Sequence, residues 1–208
     1  MTIGHSRLTL ERFVPEQFRF PVLEARTESE SAFVDFWSSV YSYPSLDDQH
    51  PLRPLTADMV RSLFKWKNGS VLSAAKQASV ERNFVARLDE INRMTIDTPA
   101  SEFLARFASG GAIWRIFMLH CWQPTRFPIY DQHVHRAMCH ILGQEVQELT
   151  SFRDDGKVGN YVSRYMPFFA RFADPDRSRI DRALWQFGKT MKNKLFRSFL
   201  SAAESSLS

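Results

Sequence analysis

At 208 residues, with 44% hydrophobic and 13% aromatic content that includes 18 Phe and 5 Trp, the chain can bury a substantial core as one large domain or two small lobes. No window approaches 18 consecutive apolar residues and residues 1–7 lack the apolar segment of a secretory signal, so a cytoplasmic protein without a membrane span is expected. Cys121 and Cys139 are the only cysteines, which excludes a disulfide scaffold, a four-cysteine zinc site and a cysteine-ligated iron–sulfur cluster. The formal charge of +4 and pI near 9.2 are compatible with a polyanionic partner. The excess is carboxy-terminal, with eleven Lys and Arg against six Asp and Glu from Ser151 onward.

In chain order, apolar spacing and capping signals predict helices over 28–41, 56–67 closed by Asn68-Gly69, 73–94, 99–108, 112–122, 132–142, 159–172 and 175–194. No stretch alternates as a strand would, so an all-α fold is expected. Thr98-Pro99 and Asp174-Pro175 each read as an N-cap followed by proline at the first helical position. Tyr43-Pro44-Ser45 and His50-Pro51-Leu52-Arg53-Pro54 punctuate a loop that could act as a hinge. Near the end, 181–189 reads as an amphipathic helix with a kink or fray at Gly188. There is no internal repeat and no low-complexity linker, so residues 1–208 are expected to form a single compact helical unit.

The segment Phe127-Pro128-Ile129-Tyr130-Asp131-Gln132-His133-Val134-His135-Arg136 carries the most information. Pro128 restricts Phe127 to extended geometry, and Val134, Ala137, Met138, Ile141 and Leu142 then recur at helical spacing until Gly143. Asp131 therefore opens a helix, where free backbone N–H groups favour its ionised form at neutral pH. Upstream, Ser109-Gly110-Gly111 joins two helices in a very short turn, and Asp131 follows Gly111 by 20 positions.

This arrangement resembles the helix-hairpin-helix (HhH-GPD) DNA glycosylase superfamily over roughly 99–142. The carried residues are Gly110 and Gly111 in the hairpin, then Phe127, Pro128, Ile129, Asp131, Val134 and Arg136. The resemblance implies a two-lobed all-α glycosylase-like fold with a cleft between lobes, an amino-terminal lobe over about 1–95, and carboxy-terminal helices over 150–200 packing back on the core. It also implies that a damaged or modified base is flipped out of DNA and its N-glycosidic bond hydrolysed, leaving an abasic site. Asp131 would be the carboxylate that stabilises the cationic sugar. Ser109, Gly110, Gly111 and His133 would hold the DNA backbone, because hairpin N–H groups without a Cβ can approach a phosphate. Trp66, set between Lys65 and Lys67 at a helix end, and Trp114 are base-pocket candidates.

Branches of this superfamily that cleave the backbone use a lysine, which would fall here near Ala112 or Ile113. Between Asn68 and Lys157 the only lysine is Lys76. A monofunctional, water-using enzyme is therefore expected, unless Lys65, Lys67 or Lys76 reaches the cleft from another helix. Without iron–sulfur cysteines or that lysine, the chain resembles a divergent branch, serving either DNA repair or antiviral defence against phage bases such as glucosylated hydroxymethylcytosine. His120, Cys121, His133, His135, Cys139 and His140 are zinc-type ligands, but adjacent pairs diverge on a helix, so no metal and no cofactor are expected. A monomer is expected. The rival readings are a non-catalytic DNA-binding module that retains the hairpin, and a helical interaction protein with no nucleic-acid role.

Overall fold

The computed structural model describes residues 29–44, 46, 54–193, 196 and 198. The fold is all-α, with no strand among the described residues. Its helices are α1 (Glu30–Ser39), α2 (Ala57–Asn68), α3 (Ala74–Asn83), α4 (Leu88–Arg93), α5 (Ala100–Arg106), α6 (Ala112–Trp122), α7 (Gln132–Ile141), α8 (Asp154–Asn160), α9 (Met166–Phe169) and α10 (Arg177–Thr190). Short polar side chains start several of them. The hydroxyls of Ser29, Thr56 and Ser73 accept from the backbone N–H three residues on, and Gly69, at φ 71°, ends α2 in the left-handed conformation that glycine adopts without strain. Among the described residues no helix is long and apolar enough to cross a membrane.

Two predicted helices are broken. The run expected over 73–94 ends at Asn83, passes through a 3₁₀ turn at Val85–Arg87 and resumes as α4. At the break, fully buried Phe84 stacks on Phe64, with ring centroids 5.0 Å apart. The run expected over 159–172 starts earlier, as α8, and widens into a π turn at Tyr161–Tyr165 before α9. Pro167 explains the widening, since it has no N–H to return to the preceding turn. Two expected caps also move. Pro99, not Thr98, occupies the cap of α5, and Asp176, not Asp174, caps α10 by accepting from Ser178 and Arg179 N–H at 3.0 and 3.2 Å. The loop signal over 50–53 and Ser45 lies outside the described residues.

α6 is the central strut, with Ile116, Phe117, Met118, Leu119, Cys121 and Trp122 all buried. α10 packs on both α1 and α7, so the first and last described helices meet. Gly188 does not kink α10. It is buried in an unbroken helix, where a Cβ would lie 1.8 Å from the His133 carbonyl oxygen, so its missing side chain lets α10 cross directly over the start of α7.

Candidate functional site

The Asp131 helix start forms as its sequence predicts. With extended backbone at Asp131, Oδ1 accepts from His133 N–H at 2.8 Å and Val134 N–H at 3.3 Å, which satisfies two donors of the first turn of α7. The other carboxylate oxygen faces a cation. Lys67 Nζ, from the last turn of α2, donates to Oδ2 at 3.0 Å, and the two side chains keep only 14% and 18% of their surface exposed. Burial works to raise the Asp131 carboxyl, but Lys67, His133 and the Val134 N–H outweigh it and hold the group below the ordinary carboxylate range. Asp131 is thus a fixed anion, reachable yet largely shielded.

Asp131 and Lys67 lie on the wall of a cavity of about 600 Å³. Tyr41, Tyr43, Trp66 and Trp185 supply aromatic surface, while His133, Arg177, Asp181 and Arg182 supply polar groups. Trp66 is tied down on both sides: its Nε1 donates to Pro44 carbonyl at 2.9 Å, its carbonyl accepts from Tyr43 hydroxyl at 2.6 Å, and its ring stacks on Phe117. Tyr43 packs against both Trp66 and Trp185 at 5.3 Å. The volume and the mix of apolar walls with few polar groups suit a ligand of nucleoside size.

Trp66 and His133 therefore join Asp131 at one cavity. His133 sits edge-on to Trp185 at 5.0 Å, and burial holds its imidazole below the usual value despite Asp131, so at neutral pH it is an uncharged hydrogen-bonding group. Trp114 lies elsewhere, packed on Phe64 at 5.0 Å with Lys76 over its ring. Arg136 is engaged locally by Glu148, at 2.9 and 2.6 Å. Of the lysines on other helices, Lys67 reaches the carboxylate, whereas Lys76 donates to Asn68 Oδ1.

The turn between α5 and α6 is built more tightly than its sequence suggests. Ser109, Gly110 and Gly111 turn the chain from α5 into α6, with Gly111 at φ 75°, ψ 141°. Ser109 Oγ donates to Asn83 Oδ1 at 2.7 Å, and Gly110 is buried where a Cβ would meet Phe84 at 2.6 Å. At the start of α6, Ala112 N–H donates to Asp154 Oδ2 at 3.0 Å, so a side-chain carboxylate already occupies the place where an anion would dock. His120 is held by the Phe127 carbonyl at 2.7 Å. Among the described residues no group of three or more His, Cys, Asp or Glu side chains converges as a metal site.

The helix over 181–189 stands out in the sequence as a segment able to close over a cleft, but nothing there assigns a role to Asp181, Tyr41 or Tyr43. Asp181 looks like a solvated charge between Arg177 and Arg182 on an amphipathic helix, Tyr41 falls at the end of a predicted helix, and Tyr43 lies in a proline-punctuated loop. Comparison with protein-family models, with curated proteins and with solved structures returns no match.

Proposed function

We propose that this protein is a DNA N-glycosylase of two-lobed, helix-hairpin-helix type that takes one nucleotide out of the duplex and hydrolyses its N-glycosidic bond, with Asp131 as the essential carboxylate. The observation that carries the reading is a half-buried, doubly N–H-bonded and lysine-paired aspartate on the wall of an aromatic cavity about 600 Å³ in volume. Breaking the C1′–N bond leaves positive charge on the sugar, and a carboxylate already fixed in a shielded site stabilises that charge without reorganising. Water then bonds to C1′ while the bond's electron pair leaves with the base. Stacking on the cavity-facing aromatic surface of Trp66, Tyr43 or Trp185 would offset the loss of base stacking at about 1–3 kcal/mol per aromatic contact.

The contact of Lys67 with Asp131 fits two roles, set by where the shared proton sits. As an ammonium donating to Asp131 it has no lone pair, so it orients the carboxylate and offers positive charge to the neighbouring phosphate. If it passes its proton to Asp131, the free amine can attack C1′, the base leaving with the electron pair of its C1′–N bond, and opening of the sugar ring at C1′–O4′ then gives an imine, the ring oxygen taking up the proton the amine loses. The water-using role follows from the ion pair as it stands, and borohydride trapping of a covalent protein–DNA complex would establish the other. The function itself is tested by incubating the protein with duplexes carrying damaged, plain and phage-modified bases and counting alkali-labile abasic sites. Binding without base release on every duplex would instead support a non-catalytic DNA-binding module.

A further inference from the structure

The cavity holds a second carboxyl group that the mechanism above leaves unused. Asp181, in the second turn of α10, lines the same cavity as Asp131. Its Oδ1 is shielded from solvent and has no hydrogen-bond partner, and Oδ2 receives only a long contact from Ile129 N–H at 3.5 Å. Asp131 is the opposite case, with two N–H donors and an ammonium. A carboxylate with one oxygen shielded and unpartnered and the other given only one long N–H contact is poorly solvated, and such a group sheds its charge by binding a proton.

The neighbouring charges do not reverse this. Arg177, on the same helix, turns its guanidinium to the Phe169 and Phe172 carbonyls, at 3.3 and 3.5 Å, and over the Phe169 ring. Arg182 lies 3.7 Å from Asp176. Lys67, reaching in from α2, is committed to Asp131, and Tyr161 and Tyr165 from the π turn are neutral phenols kept protonated by burial. Burial, together with the nearby Asp131 charge, outweighs the Ile129 N–H, Arg177 and Lys67 and pushes the Asp181 carboxyl up to about 8. One cavity therefore carries one ionised and one protonated carboxyl, the division of labour that acid-assisted cleavage of a glycosidic bond uses.

We infer that Asp181 is the general acid of this site, handing its proton to the departing base while Asp131 stabilises the sugar cation. The inference rests on the glycosylase reading and makes release of uncharged bases, which leave poorly unless protonated, the reaction that depends on Asp181. The proton moves from Asp181 to a nitrogen or oxygen of the base, and the C1′–N bond breaks with its electron pair going to the base. The attacking water forms the C1′–O bond and gives its surplus proton to Asp131. Exchange with solvent then restores both groups.

The proton on Asp181 can be tested without a substrate. In the full chain labelled with carboxyl-¹³C aspartate, with Asp181→Asn and Asp131→Asn variants identifying the signals, Asp181 should titrate near 8 while Asp131 stays ionised throughout the neutral range. An Asp181 signal that titrates near the ordinary value of about 4 overturns the assignment. The acid role is read from two duplexes, one with glucosylated hydroxymethylcytosine, a neutral leaving group, and one with 7-methylguanine, which is already cationic. Asp181→Asn should slow release of the neutral base on the order of 100-fold and flatten the alkaline limb of its pH profile, while slowing the cationic base far less. Equal losses on both duplexes mean a structural role and overturn the acid assignment. If the wild type releases no base from these duplexes or from the wider panel, the glycosylase reading fails and takes the acid role with it, whereas the titration still decides whether the proton is held.

Discussion

Lys67 Nζ lies 3.0 Å from Asp131 Oδ2, joining residues 64 positions apart. The lysine ends one helix and the aspartate caps another, so the cation sits at the negative end of α2 and the anion at the positive end of α7. The two helix ends therefore reinforce the pair, and the direction of the carboxylate is set by a tertiary contact as well as by its own cap.

Replacing Lys67 with Met should destabilise the protein by about 2 kcal/mol, less than for a fully buried pair because both side chains retain some solvent contact. The pH dependence follows from Asp131 lying below its ordinary value. Its contribution is present above about pH 4 and is lost as pH falls through the lower folded-state value. Thermal unfolding of wild type should therefore show a steeper loss toward acid than Lys67→Met. Parallel acid slopes would show that the pair does not set the Asp131 carboxyl.

Gly188→Ala should cost about 3 kcal/mol or more, since the new Cβ would meet the His133 backbone oxygen at 1.8 Å and neither helix backbone can yield without moving the other. The displacement falls at the first turn of α7, so base release should drop as well. A melting temperature within a degree or two of wild type would contradict the close crossing.

How far the site can be read from sequence follows the range of its contacts. The Asp131 cap is local, satisfied by the N–H groups of His133 and Val134, and the segment 127–136 announces it. Trp66 is legible for a similar reason, as an aromatic between lysines at a helix end. Lys67 is legible only as one of three lysines able to reach in from another helix, and Asp181 not at all, because their meaning depends on partners 64 and 52 positions away that no spacing rule connects. The all-α class is plain from periodicity, whereas the breaks at Phe84 and before Pro167 arise where burial of one ring or loss of one N–H overrides a continuous pattern. Gly188 shows the same limit, since as a residue type it suggests a kink, and only the approach of α7 reveals why glycine is needed.

The carboxylate at the hairpin gives a separate test. Asp154 accepts the Ala112 N–H, with Lys157 beside it at 3.1 Å, and these offset its burial to hold the carboxyl below the usual range. If the hairpin docks a DNA phosphate, this anion competes, so Asp154→Asn should tighten binding to plain duplex several-fold and steepen its salt dependence by about one phosphate contact. Unchanged affinity and slope would separate DNA binding from the hairpin.

Asp181 also leaves a mark on stability. Its folded-state value is raised to about 8, so its contribution is fully present below about pH 4 and is lost as pH rises through the folded-state value. Asp181→Asn cannot ionise and should gain on wild type when denaturant unfolding is compared at about pH 5 and about pH 9. A constant difference at the two pH values would mean that Asp181 is already ionised in the fold.

The most direct measurement of the central claim compares wild type with Asp131→Asn for formation of alkali-labile abasic sites on a panel of damaged, plain and phage-modified duplexes. The wild type should release base from at least one duplex, and Asp131→Asn should release it at least about 100-fold more slowly while retaining DNA affinity. Equal release by the two proteins, or none by either across the panel, would contradict a glycosylase centred on Asp131.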